Sequence, residues 1–332
     1  MRAMVLHRQQ PIEKQPLTLE ERPIPTPGAG EVRIKVHACG VCHTDLHEIE
    51  GDIEVPDLPR VPGHQIVGVI DDLGTGVSDW TPGTRVGVPW LYSTCQECKF
   101  CQRGMENLCV NARFTGKDVD GGFAEYMVAP ADFIYALPRD FPDLQAAPLL
   151  CAGIIGFRAL RLSQIQHGQN LGIIGFGASA QVTIQVANHW NCRAYVFSRS
   201  SEHRRLAEDL GAVWTGETSD DPGAKMDAVL NFTPAGNTVL DGQRLLEKNG
   251  TQICAGIHMS EIPAMPYSLI YGERSIKSVA NSTRKDARRL LELAAEIPIR
   301  NNVEIYSLEK ANEVLQLLKR SEIRGAAVLQ IE

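Results

Sequence analysis

The chain has 332 residues, with 33 Lys plus Arg against 40 Asp plus Glu, a formal net charge of −7 and 43% hydrophobic residues. This profile excludes a disordered or fibrous protein and suits about two globular domains, while the acidic balance argues against a nucleic-acid binder, which needs a basic stripe for phosphates. The first ten residues hold only a four-residue apolar run (3–6), and no uninterrupted apolar stretch of about 18 residues occurs, so neither a signal peptide nor a membrane span is expected and the expected location is cytoplasmic.

Residues 1 to about 140 are rich in Gly and Pro and break into short β-like runs at 31–38, 66–73, 84–88 and 123–128. Turn signals punctuate them at 25–28, 61–63 and 81–83. Short strands with frequent breakers predict a barrel-like or folded antiparallel sheet. The first run leads into Cys39-Gly40-Val41-Cys42-His43-Thr44-Asp45-Leu46-His47, and Pro62-Gly63-His64-Gln65 follows about twenty residues on. Two cysteines and a histidine from separate loops, Cys151 being the third candidate, make a three-ligand zinc site with an open fourth position. From the spacing alone, a Cys39–Cys42 redox pair and a structural His64 remain as alternatives.

Four of the nine cysteines, Cys95, Cys98, Cys101 and Cys109, fall within fifteen residues on one Gly-containing segment. Four thiolates so placed can wrap tetrahedrally around Zn²⁺, and a closed shell of four makes such a site structural. An iron–sulfur cluster is the competing reading.

From about residue 150 the texture changes. Strand-like runs at 170–175, 193–198, 228–232 and 251–255 alternate with helical stretches at 179–189, 202–210 and 238–248, with Ser201 as the N-cap of the second. This is the rhythm of a doubly wound parallel sheet. Helices at 285–296 and 308–320 and a strand at 326–331 close the chain. Gly175-x-Gly177-x-x-Ala180, joining a strand to a helix, fits the dinucleotide fingerprint, whose glycines permit the tight turn and the approach of a pyrophosphate to the helix N-terminus. About 20 residues further an NAD-selective domain carries Asp or Glu; here stand Ser198, Arg199 and Ser200. A hydroxyl and a guanidinium bind a 2′-phosphate that a carboxylate repels, so NADP(H) is favoured, with NAD(H) as the alternative.

These motifs, in this order, resemble the zinc-dependent medium-chain alcohol dehydrogenases essentially end to end; the carriers are the 39–47 segment, Gly63-His64, the four-cysteine loop, Cys151-Ala152-Gly153 and the glycine fingerprint. The resemblance implies an α/β chain with a β-rich, GroES-like catalytic domain (1–148 and 285–332) and a Rossmann-type dinucleotide domain (149–284). It implies a catalytic zinc on Cys42, His64 and Cys151 and a structural zinc on the four clustered cysteines. Cys39 then packs at a strand end, and Cys192 and Cys254 are small core residues. It assigns Asp45 to orient the zinc histidine, Thr44 to accept the alcohol proton, His47 to relay that proton outward and His43 to face the cofactor phosphates. Arg324 matches an arginine that reaches the pyrophosphate, 255–257 a backbone stretch near the nicotinamide, and Trp90 a position lining the substrate pocket, with a plain core tryptophan as its alternative. The implied activity is reversible hydride transfer between an alcohol and its aldehyde or ketone, in a homodimer or homotetramer. Polyol dehydrogenation or physiological aldehyde reduction are alternatives on the same scaffold, and a non-catalytic zinc module is a remote one. Gln65 departs from the family, which usually carries Glu after the zinc histidine; with no further negative charge there, a zinc-bound water or alcohol is expected to be more acidic.

Overall fold

The computed structural model describes every residue except Asp140, Pro298 and Glu332. The chain divides into two compact units, one of Met1–Cys151 with Thr283–Glu332 and one of Ala152–Ser282.

In the first unit the N-terminal apolar run is strand β1 (Arg2–Leu6), antiparallel to β2 (Leu17–Glu21), and its residues from Ala3 to Leu6 are all buried. The long β3 (Glu31–Val41) alternates Val32, Ile34, Val36 and Ala38 inward, the period-2 pattern of a half-buried strand. Helix α1 (His43–Glu50) follows after a single residue and ends at Gly51, whose φ of 92° suits glycine. Strands β4 (Gln65–Leu73) and β5 (Arg85–Val88) continue the sheet beside β3. Next, β6 (Leu91–Ser93) and β7 (Arg113–Phe114) form a two-stranded ribbon, with the short α2 (Lys99–Gln102) and the four cysteines in the loop between them. β8 (Tyr126–Pro130) pairs with β3, β9 (Tyr135–Ala136) pairs with β5, and α3 (Asp143–Ala146) leads towards Cys151.

The second unit opens with α4 (Ala152–Ser163) and then alternates β10 (Asn170–Ile174), α5 (Ala178–His189), β11 (Arg193–Phe197), α6 (Ser201–Asp209), β12 (Trp214–Gly216), β13 (Met226–Asn231), α7 (Asn237–Leu245), β14 (Leu246–Cys254) and β15 (Ser275–Ser278). All five strand pairings are parallel, and the order β12-β11-β10-β13-β14-β15 reverses direction at β10 and β13. That reversal is the topological switch point where doubly wound sheets bind ligands at the carboxyl ends of their strands. Two local expectations fail here. The 238–248 stretch is not one helix: α7 stops at Leu245, because Leu246 already pairs with Met226 in the sheet and is fully buried. The cap of α6 is Ser200, not Ser201, with the Ser200 Oγ accepting the His203 N–H at 3.3 Å.

The chain then returns to the first unit. α8 (Arg284–Glu296) starts with a reciprocal cap between Thr283 and Asp286. β16 (Val303–Ser307) and β17 (Ala326–Gln330) run parallel, with α9 (Ala311–Lys319) between them preceded by a 3₁₀ turn at Leu308–Lys310. β17 pairs antiparallel with the end of β3, completing a seven-stranded sheet. Among the described residues no single helix is long and apolar enough to cross a membrane.

Candidate metal centres and dinucleotide site

Cys42 is the extended N-cap residue of α1, between the end of β3 and the first helical turn. Its Sγ accepts the Thr44 N–H at 3.3 Å, while Asp45 Oδ2 accepts the Cys42 N–H at 2.8 Å. This is the reciprocal cap usually made by Ser or Thr with Glu, here built from a thiol and an aspartate. The other oxygen of Asp45 bonds His64 Nδ1 at 2.8 Å, and both side chains are fully buried. With Nδ1 so engaged, the imidazole presents Nε2 to the Cys42 sulfur at 3.4 Å. Gly63 makes this approach feasible: its φ is +96°, and a Cβ there would lie 2.4 Å from the Phe123 ring. Cys151 completes the group, the ligand atoms of Cys42, His64 and Cys151 all lying within 4.8 Å of one another.

The donor set suits zinc. Contact with Cys151 and burial push the Cys42 thiol well above its ordinary range, and a thiol so placed becomes a thiolate most readily when a cation takes the proton's place. Burial by itself would keep His64 neutral, but Asp45 and Cys42 outweigh it and push the imidazole up, again marking a place for positive charge. Two thiolates and one imidazole leave a tetrahedral ion one open position.

The remaining expected residues fall around this centre. Thr44 is buried in the first turn of α1, His43 is exposed beside it, and His47 in the last turn bonds Asp52 through Nδ1 at 2.7 Å. Gln65 is buried and its side chain packs on Gly40, where a Cβ would lie 2.9 Å from Gln65 Cδ. Cys39 is buried in β3, outside the ligand group. Trp90, half-buried, stacks on Phe114 with centroids 4.3 Å apart, and its ring centre is 6.1 Å from that of His64. Its indole Nε1 donates to Glu48 Oε1 at 3.0 Å. Sequence reasoning missed Glu48: it is only 1% exposed, on the same helix face as Asp45, and burial pushes its carboxyl up to about 8. The available signal was an acid on the inward stripe of α1.

The second cluster brings Cys95, Cys98, Cys101 and Cys109 within 4.8 Å of one another. Sulfur separations of 3.4 Å (Cys95–Cys109), 3.6 Å (Cys98–Cys101) and 4.0 Å (Cys95–Cys101) exceed a disulfide bond and bracket the ~3.8 Å that tetrahedral ligation at about 2.3 Å requires. A multi-iron cluster spreads its thiolates over several metals, so one ion is the better fit. Backbone N–H groups of Cys95, Cys98 and Asn111 point at the sulfurs, each at 3.4 Å, which stabilises thiolate charge. Within the same loop Glu106 accepts from the Arg284 backbone N–H at 2.7 Å and from its guanidinium at 2.8 and 2.9 Å, tying the metal loop to the start of α8.

In the second unit the glycine fingerprint lies at the switch point. Gly175 has φ +82° and a Cβ there would meet Thr233 Cγ2 at 2.9 Å; Gly177, the N-cap of α5, has nothing within 4 Å of its Cβ position. Ala180 is fully buried in the first turn of α5. The α5 N-cap, being glycine, offers no side-chain oxygen to its first N–H groups. Gly256, just past β14, also approaches Thr233, so the ends of β10, β13 and β14 converge. At the end of β11, Ser198 Oγ accepts the Ser200 N–H at 3.3 Å and Arg199 is exposed. Arg204, which sequence reasoning also missed, donates to the carbonyls of Ser198 at 2.6 Å and Arg199 at 3.2 Å and lies 3.8 Å from Glu217. Arg324 is in the first unit, exposed at the entry to β17, its backbone N–H bonded to Glu304 at 2.7 Å.

A thiolate–imidazole centre with an open position, a closed four-cysteine centre and a dinucleotide fold are the parts of a zinc-type dehydrogenase. Residues 28–139 match the alcohol dehydrogenase GroES-like domain, and residues 180–296 match the zinc-binding dehydrogenase domain. The chain is 41% identical to "Probable alcohol dehydrogenase AdhA" of Mycobacterium tuberculosis (strain CDC 1551 / Oshkosh), across 100% of this chain and 97% of that protein. Among solved structures it is similar to a cinnamyl alcohol dehydrogenase from Sorghum bicolor, with a TM-score of 0.91, 26% identity and coverage of 99% and 97% of the two chains. It is also similar to acetophenone reductase from Geotrichum candidum in complex with NAD, with a TM-score of 0.89, 25% identity and coverage of 99% and 96%. The chain belongs to the zinc-containing medium-chain alcohol dehydrogenase family.

Proposed function

We propose that the chain transfers a hydride reversibly between a primary or secondary alcohol and NADP⁺, with Cys42, His64 and Cys151 holding the catalytic zinc and Cys95, Cys98, Cys101 and Cys109 the structural one. The observation that carries this reading is Asp45, which fixes Cys42 and His64 together so that sulfur and Nε2 face one point. When bound, zinc supplies a Lewis acid that makes an alcohol more acidic, and the nicotinamide supplies the hydride acceptor.

The protein's own groups then have defined tasks. Asp45 fixes the His64 tautomer and raises the basicity of Nε2. Thr44, in the first turn of α1, takes the alcohol proton, and His47, three residues on along the same helix face, passes it to solvent with its ring oriented by Asp52. His43, on the exposed side of that turn, and Arg324 meet the phosphates of the cofactor. Gly175, Gly177 and Ala180 bring the pyrophosphate to the N-terminus of α5.

For the cofactor, Ser198 and Arg199 favour NADP(H). Arg204 lies 3.8 Å from Glu217 and braces the carbonyls of the turn, and the exposed Arg199 offers a guanidinium to a 2′-phosphate. The relative solved with NAD is the reason to measure both cofactors. A homodimer or homotetramer is the proposed assembly, read by light scattering. The test of the whole reading is metal analysis combined with NADPH and NADH oxidation over a panel of aldehydes. Two zinc ions per chain and faster turnover with NADPH support it; one zinc and no nicotinamide binding would leave the non-catalytic module. The same panel separates aldehyde reduction from polyol dehydrogenation.

A further inference from the structure

We propose that Glu48 is a positioning residue for substrate selection: its buried carboxyl holds the Trp90 indole as a fixed flat wall beside His64, which favours alcohols whose carbinol carbon bears a planar aryl group. The inference rests on the reading of Cys42, His64 and Cys151 as the alcohol-binding centre.

The geometry is specific. Glu48 and Cys42 belong to one short rigid element, α1 and its cap, so the wall and a metal ligand share a support. Glu48 Oε1 receives the Trp90 Nε1–H at 3.0 Å. The Trp90 carbonyl accepts the Thr115 N–H at 2.8 Å, and its ring lies on Phe114 with planes 27° apart. The indole is thus held at its backbone, on one face and at its polar edge. The Glu48 contact, at the polar edge, opposes rotation of the ring within its stack. Its plane is tilted 55° to the His64 ring at a centroid distance of 6.1 Å. A substituent carried on an oxygen held next to His64 Nε2 comes within reach of the indole, where a planar ring gains an aromatic contact that a short alkyl chain lacks. Nothing about Oε1 alone would require an acid. The second oxygen, Oε2, is buried and finds no hydrogen-bond partner among the described residues, so the Trp90 N–H is the hydrogen bond that offsets part of the cost of burying this carboxyl.

The test compares kcat/KM for benzyl alcohol and ethanol in the zinc-loaded enzyme with NADP⁺ or NAD⁺. Glu48→Leu keeps the volume and removes the acceptor. It should lower the benzyl-to-ethanol ratio about fivefold, mainly through the KM for benzyl alcohol, with zinc content unchanged. Glu48→Gln, which keeps an acceptor oxygen, should restore the ratio. In a Trp90→Phe background, where no indole N–H remains, Glu48→Leu should change the ratio by less than about twofold, because the pair acts as one unit. An unchanged ratio in Glu48→Leu, full additivity with Trp90→Phe, or loss of zinc from Glu48→Leu would each overturn the proposal while the dehydrogenase reading stands. A wild-type enzyme that oxidised neither alcohol would remove both.

Discussion

Alanine at position 177 separates cofactor binding from folding. Gly177 has φ −88°, an ordinary value for any residue, and a Cβ there meets no atom within 4 Å. Replacing glycine at a compatible position stabilises by about 0.4–1 kcal/mol through the unfolded chain. The loss of glycine as N-cap offsets part of this, so the net change in stability should stay within about 1 kcal/mol. The new methyl would stand where the pyrophosphate approaches α5, and crowding a tight contact costs about 1–3 kcal/mol, roughly 5- to 150-fold in Kd. Gly175→Ala is the contrasting case. Its φ of +82° costs an alanine about 1–2 kcal/mol, and the Cβ would press on Thr233, so folding should suffer as well. Urea unfolding and NADPH fluorescence titration of both variants provide the two readouts. Wild-type dinucleotide affinity in Gly177→Ala, or a stability loss in that variant as large as in Gly175→Ala, would refute the assignment of this turn to the pyrophosphate.

Asp45→Ala leaves the Cys42 N–H and His64 Nδ1–H buried without their acceptor; at about 1–3 kcal/mol each the loss should be plain in thermal melts, and chelator competition should show zinc held about 10- to 100-fold more weakly at this centre. Cys109→Ser should reduce bound zinc from two to one per chain, by elemental analysis, and lower the melting temperature because the loop carrying Glu106 loses its anchor. Arg199→Ala should lower kcat/KM for NADPH about 10-fold or more and leave NADH nearly unchanged, the pattern of one lost charge-assisted phosphate contact. Gln65→Glu adds negative charge behind His64, which disfavours ionisation of a bound alcohol, so the pH–rate profile should move to higher pH; an unmoved profile would dispose of that account.

Parts of the molecule that depend on neighbours in sequence were legible before the fold was known. The four cysteines lie on one loop, so their spacing alone carried the metal reading, and the Gly175–Ala180 turn was readable from the strand and helix around it. The three-ligand centre was less so, because Cys42, His64 and Cys151 are brought together only by the folded unit, and spacing left a redox pair open until Asp45 was seen linking two of them. For Glu48 the inward stripe of α1 could mark a buried acid but not its partner Trp90, and Arg204 was invisible because its meaning lies in the carbonyls of Ser198 and Arg199, which no periodicity reveals. The end of α7 was misread because Leu246 suits a helix locally but is claimed by the sheet. Strand β15, with the sequence Ser-Ile-Lys-Ser at the sheet edge, carries too little apolar pattern to announce itself.

The pairing of β17 with β3 bears on how the protein is made. One side of β3 is shared by β8, against Glu31–Lys35, and by β17, against Ala38–Val41. The portion leading straight into Cys42 therefore stays uncovered during synthesis until residues 326–330 leave the ribosome, although the whole parallel-sheet unit has by then been made. The edge of the sheet beside the zinc-ligand segment can therefore be closed only by the last strand of the chain, and a chain stopped short of residue 326 would leave this ligand on an open sheet edge.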